Sequence, residues 1–158
     1  MSIDHRSYSS GTRNTRRGRP SRPNQVYHVT MVTRRRARLF TDLSRGRVVV
    51  DAIRKESESG RCATLCFVVM PDHVHWLVRI TEQGDLSKVV RRVKADVSSE
   101  AERLGEGAPN VWQNGFHDHA MRSDEDLVAA ARYIVANPLR AGLVRRIGNY
   151  PLWDAVWL

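Results

Sequence analysis

His73 and His75 stand two residues apart at the head of residues 73–80, where side chains alternate strictly. On a strand both imidazoles leave the same side of the backbone, with Cα atoms roughly 6–7 Å apart. Two imidazoles so placed can share one metal ion. Val74, Trp76, Val78 and Ile80 already give the strand a core face, so the histidines serve another purpose, partly exposed hydrogen bonding being the plain alternative. A second His-x-His, His117 and His119, has neighbours Phe116, Ala120 and Met121 that do not divide into an apolar and a polar face. That pair is expected to line a site rather than bind the metal. Tyr133 and Asn137 are four apart, which on a helix places phenol and amide on one face, beside Asp126, Ala129 and Ala130. They are a candidate nucleophile and carbonyl ligand if that helix crosses the sheet near His73 and His75. A core-edge aromatic and a helix-ending Asn before Pro138 are the alternatives.

The elements that must position these groups follow from periodicity. Residues 26–33 are β-branched and aromatic, with Tyr27, Val29 and Met31 on one face and His28 and Thr30 on the other. Residues 42–57 read as a helix, with Gly46 weakening its first turn. Residues 65–70 form an apolar run of strand length, and Pro71-Asp72 turns the chain into the strand of His73, making a hairpin. Asp85 can cap a helix carrying Leu86, Val90, Val93, Val97, Ala101 and Leu104, closed by Gly105. Residues 111–122 read as a strand. Ser123 and Asp126 resemble a capping box for a last helix over about 124–136, stopped by Pro138. The order β-α-β-β-α-β-α implies an α+β domain of ferredoxin-like type: an antiparallel sheet with its first two helices on one face, plus a C-terminal helix carrying Tyr133.

The 158 residues suit one compact domain, and the 41% hydrophobic content suits a packed core. The longest apolar run falls far short of the roughly 20 residues of a membrane span, and residues 1–25 hold no apolar leader segment, so a cytoplasmic protein is expected. Cys62 and Cys66 read as reduced packing residues. No Gly-rich phosphate loop, Ser-His-Asp arrangement or cysteine zinc finger is apparent. The net charge of +9 is concentrated at one end: residues 1–38 carry ten arginines against Asp4 alone, and the rest is balanced. Residues 1–24 read as a flexible Arg-rich arm on a single domain over 25–158. A basic arm on a balanced body suits a polyanion, and nucleic acid fits better than a membrane because the arm lacks an amphipathic period.

Taken in order, Tyr27-His28-Val29-Thr30, residues 70–78 (Met-Pro-Asp-His-Val-His-Trp-Leu-Val), residues 112–119 (Trp-Gln-Asn-Gly-Phe-His-Asp-His), Arg132-Tyr133-Ile134 and residues 137–144 (Asn-Pro-Leu-Arg-Ala-Gly-Leu-Val) form a recognisable series. Over about residues 26–151 the chain resembles the IS200-like transposase superfamily and, within it, the REP-associated tyrosine transposases, bacterial HUH nucleases. The resemblance implies that His73 and His75 bind a divalent ion, Mg2+ or Mn2+, that Asn137 completes its site, and that Tyr133 is the nucleophile. It further implies a single-stranded DNA endonuclease and strand transferase that acts near hairpins such as REP elements and forms a 5′-phosphotyrosine intermediate. The arm and Arg34, Arg35, Arg36 and Arg38 would hold the DNA backbone, with Trp112 a candidate for base stacking. After the first strand this chain has Thr33-Arg34-Arg35-Arg36 where many members carry Arg-Gly-Asn. The expected protein is nucleoid-associated and works as a monomer or homodimer. The rival readings are a non-catalytic hairpin-binding protein derived from a transposase and, disfavoured by the arm, a metal hydrolase of small phosphoesters.

Overall fold

The computed structural model describes residues 20–105 and 110–157. Residues 1–19, most of the Arg-rich arm, lie outside the described residues. Ser21 to Gln25, which composition assigns to the arm or its edge, are hydrogen-bonded to the body: Asn24 N donates to the Ile80 carbonyl, and Ser21 Oγ accepts from Leu86 N. Five strands form one antiparallel sheet: β1 (Val26–Val32), β2 (Cys62–Val69), β3 (His73–Ile80), β4 (His117–Ala120) and β5 (Trp153–Ala155), in the order β4-β1-β3-β2-β5. β3 is the central strand, with β1 and β2 on either side, so the side chains of all three have neighbours on both flanks.

Alternation decides what each face does. Tyr27, Val29 and Met31 of β1 and Val74, Trp76, Val78 and Ile80 of β3 point to the face covered by α1 (Leu43–Glu58) and α2 (Leu86–Arg103). Both helices begin as their sequences dictate. The Asp42 side chain accepts from Ser44 N and that of Asp85 from Lys88 N, satisfying amides that a helix start leaves open. Val49, Ala52 and Ile53 on α1 meet Leu86, Val89, Val90, Val93 and Val97 on α2 over the sheet. Gly46 proves a packing requirement rather than a weak point: a Cβ there would stand 2.3 Å from Leu152 Cδ1. The Glu56 carboxylate, buried near the end of α1, accepts from Arg61 and Arg92 and so joins α1, the turn before β2 and α2. Burial opposes its ionisation, but those hydrogen bonds outweigh burial and hold its carboxyl below the ordinary value.

The other face is half apolar. α3 (Leu127–Val135) lays Ala130, Ala131, Ile134 and Val135 against Leu65, Cys66, Val68 and Leu77. A bulge between Thr64 and Cys66 in β2 lets the adjacent Leu65 and Cys66 both serve that cluster. Both cysteines are free and buried, and burial pushes their thiols up to about 11 and about 12. Among the described residues no helix is long and apolar enough to cross a membrane.

Three elements differ from their sequence reading. The strand expected over 111–122 narrows to His117–Ala120, preceded by one bridge from Thr33 to Trp112, because the chain turns through Gly115 at positive φ. The last helix starts at Leu127, where Asp126 itself accepts from Val128 N and Ala129 N; the capping box from Ser123 does not form. Pro138 does not end the helical path. It lies in the first turn of a short helix α4 (Asn137–Arg140), where its missing N–H costs nothing.

Candidate active site

Strand register gathers five histidines on the sheet face that α3 also occupies. His28 stands opposite His119, Thr30 opposite both His75 and His117, and Val32 opposite His73. The apolar half of the same face, Leu77 and Val68, lies under α3. α3 thus packs beside the His73-x-His75 pair, as a joint role for strand and helix requires.

The two rings are held in complementary ways. His73 and His75 meet edge to face with centroids 4.9 Å apart. His73 Nδ1 donates to Asp72 Oδ1 at 2.6 Å, which leaves the Nε2 lone pair outward. Burial would raise the Asp72 carboxyl, but the His73 hydrogen bond and the Arg36 guanidinium outweigh it and hold that carboxyl below its usual range. His75 Nδ1 lies 3.0 Å from His28 Nε2 and 3.2 Å from Thr30 Oγ1. Burial first, then the charges of His28, His73 and Arg140, holds His75 well below the ordinary histidine range. Burial and the charge of His119 push His28 down to about 4. An imidazole whose Nδ1 is engaged by a neighbouring side chain is oriented to present Nε2 to a metal ion.

Asn137 does not lie on the helix of Tyr133, where its spacing of four predicts it: α3 ends at Val135, and Asn137 opens α4 after the break at Ala136. Its Nδ2 donates to the Ile134 carbonyl at 2.8 Å, so Oδ1 faces away from that bond as an available oxygen donor. Among the described residues no three His, Cys, Asp or Glu side chains form a ligand set. A site built on His73 and His75 would therefore draw its third protein ligand from another residue type, and an amide oxygen qualifies. Two imidazoles and one amide oxygen fit a divalent ion with coordination positions left for substrate oxygens.

Tyr133 is half-buried on α3 beneath Arg140, whose guanidinium carbon lies 3.8 Å from the ring centroid. His117 and His119 do share the histidine face, on its outer strand. The His119 Nε2 is engaged by Glu125 at 3.0 Å. A cleft of about 330 Å³, lined by Thr30, Val32, Gln113, Asn114, Gly115, Phe116 and His117, opens beside them. Lys94 braces that loop by donating to the carbonyls of Gln113 and Gly115.

The Arg34–Arg36 turn and Arg38 are exposed at the end of β1 nearest His73. Arg35 and Arg36 both take positive φ, 55° and 51°, an unfavourable conformation for side chains with a Cβ. Fully buried Thr33 holds the turn in place: its amide donates to the Asp72 carbonyl, and its hydroxyl lies within 3 Å of the Asp72 and Ala37 carbonyl oxygens. Trp112 departs from its expected use. Its indole is buried against Phe40 and donates to the Lys94 carbonyl, so it offers no face to a base.

Sequence reasoning put His28 on the correct face without assigning it to the site. Its alternation with Tyr27 and Val29 was the signal, but only strand pairing brings it to His75. Arg140 lay outside the candidates because seven residues separate it from Tyr133, and a break at Ala136 intervenes.

Comparison with known proteins points one way. The family model described as "Transposase IS200 like" matches residues 21–137. A REP-associated tyrosine transposase of Escherichia coli (strain K12) is 30% identical over 86 residues, covering 54% of this chain and 49% of that protein. A putative REP-associated tyrosine transposase of Haemophilus influenzae is 24% identical over 98 residues, 56% of each. The chain thus spans about half the length of these curated relatives. Among solved structures, a REP-associated tyrosine transposase bound to a REP hairpin superposes with a TM-score of 0.70 at 26% identity, covering 85% of this chain and 79% of that one. A putative transposase of Deinococcus radiodurans shares the fold, with a TM-score of 0.54 at 20% identity over 74% of this chain and 93% of that one.

Proposed function

The chain belongs to the IS200-like transposase family, and from that premise we propose that it is a single-stranded DNA endonuclease and strand transferase acting beside DNA hairpins. The observation that carries the reading is the arrangement of the histidine face: two imidazoles whose Nδ1 atoms are each engaged by neighbouring side chains, beside the helix that bears Tyr133 and leads into Asn137. The hairpin substrate is supported by the likeness to a REP-associated relative bound to a REP hairpin.

In this reading His73, His75 and Asn137 hold a divalent ion, Mg2+ or Mn2+. Once bound, the ion supplies Lewis-acid polarisation of the scissile phosphate. Asp72 and Thr30, with His28, fix the orientation of the two imidazoles. The Tyr133 phenol oxygen attacks phosphorus in line, the bond to the 3′ oxygen breaks, and the products are a free 3′-hydroxyl and a 5′-phosphate ester on Tyr133. That ester conserves the bond energy, so attack by another 3′-hydroxyl rejoins DNA and restores the phenol. Arg34, Arg35, Arg36 and Arg38 hold the backbone electrostatically.

The test is cleavage of labelled single strands taken from both strands flanking the gene, with Mg2+, Mn2+ or EDTA. The reading expects strand-specific, metal-dependent nicking that His73→Ala abolishes while the protein still binds the strands. Retained binding without nicking by the wild type would move the protein to a hairpin-binding role. Turnover of a small phosphodiester that Tyr133→Phe leaves unchanged would indicate a hydrolase.

A further inference from the structure

The segment after α3 carries a cation that the reaction above does not use. The break at Ala136 and the short turn of α4 fold Arg140 back over the helix it has just left. Its guanidinium stacks on the Tyr133 ring, 3.8 Å from the centroid, and one Nη2 proton goes to the Tyr133 carbonyl at 2.6 Å. The ring it covers belongs to the candidate nucleophile, on the helix that packs beside the strand of the paired histidines. Among the described residues no carboxylate pairs with it. A guanidinium has five donors in a planar fork, and only one is spent here. Its place over the ring and its bond to the Tyr133 carbonyl anchor the fork at two points, so the remaining donors are positioned rather than free to swing.

A phosphodiester attacked by Tyr133 must come up to the phenol whose ring this cation covers. We infer that Arg140 is a further catalytic residue: its unspent N–H donors take a non-bridging oxygen of the scissile phosphate while its stacked plane holds the Tyr133 ring for in-line attack. The inference rests on Tyr133 being the nucleophile. It assigns Arg140 charge stabilisation in the transition state, where negative charge spreads over the phosphoryl oxygens, and not general DNA affinity.

The experiment is single-turnover cleavage of the flanking single strands by wild type, Arg140→Lys and Arg140→Gln, with strand affinity measured in parallel and guanidinium ion added to each. Arg140→Gln should cleave about 100- to 1,000-fold more slowly, with strand affinity changed less than threefold. Arg140→Lys should recover part of the rate, because it restores charge without the fork. Added guanidinium should speed Arg140→Gln and leave the wild type unchanged, a response that a folding defect would not give. A wild type that cleaves alongside an equally fast Arg140→Gln overturns the inference alone, as does a loss confined to affinity or a slow variant that guanidinium does not speed. A wild type that forms no tyrosine adduct overturns the reading of Tyr133 and this inference with it.

Discussion

Asp72 Oδ1 accepts the Nδ1 proton of His73 at 2.6 Å, while the other carboxylate oxygen faces the Arg36 guanidinium at 3.4 Å. One acidic side chain thus connects the basic turn after β1 to the candidate metal ligand. Partners that orient a ligating imidazole typically contribute tenfold to a hundredfold in metal affinity. Asp72→Ala should therefore weaken Mn2+ binding by about that factor, measured by calorimetry on the DNA-free protein, with an unchanged circular dichroism spectrum. Unaltered Mn2+ affinity would remove Asp72 from this role.

Acid should weaken the fold through the same face. His28 is pushed down to about 4, against an ordinary 6.5 that the unfolded chain retains. Between these values the unfolded chain binds a proton that the folded chain refuses, so stability falls as pH drops through that window. His75 is lowered as well and adds in the same direction. In EDTA, the urea midpoint of the wild type should fall between pH 7 and about 4.5, and that of His28→Gln should fall less. Equal falls would contradict the assignment.

Two glycines separate backbone from side-chain crowding. A Cβ at Gly84 would stand 2.0 Å from the Arg61 carbonyl oxygen, which is backbone and cannot yield cheaply. At Gly46 the obstacle is the end of the Leu152 side chain, and alanine also gains helix propensity there. Gly84→Ala should cost about 2–3 kcal/mol and Gly46→Ala about 1 kcal/mol by chemical denaturation. The reverse order would show that one of these close approaches is misassigned.

The basic turn should bind DNA by charge rather than by sequence. Arg34 and Arg38 are exposed and have no carboxylate partner among the described residues. Each change to alanine should reduce the slope of log affinity against log salt by about 0.7 on a single strand, equally for all sequences. Fluorescence anisotropy across a salt series checks this, and an unchanged slope would place the DNA elsewhere.

Much of this site was legible because its parts are local. Strict alternation along residues 73–80 put His73 and His75 on the face opposite Val74 and Trp76, whereas the spacing of four between Tyr133 and Asn137 spans the break at Ala136, so the two stand on successive helices, α3 and α4. What the sequence hid depends on pairing and on breaks in periodicity. His28 reaches His75 only through the β1–β3 register, and Arg140 reaches Tyr133 only because Pro138 starts a new turn instead of ending the old one. β5, at three residues, is too short for alternation to distinguish from loop, and the 111–122 stretch lost most of its strand to the turn at Gly115. Trp112, a candidate for base stacking by sequence, is carried into the core by its bridge to Thr33.

The central claim is that Tyr133 forms the bond to DNA, and peptide mapping of the covalent product tests it most directly. Wild-type protein is incubated with labelled single strands and Mn2+, denatured, digested with protease, and the nucleotide-bearing peptide is identified by mass spectrometry. The account predicts a 5′-phosphotyrosine at Tyr133, formed only with divalent metal and absent from Tyr133→Phe, which still binds the strands. A nucleotide carried by any other residue, or an equal yield of adduct from Tyr133→Phe, would contradict it.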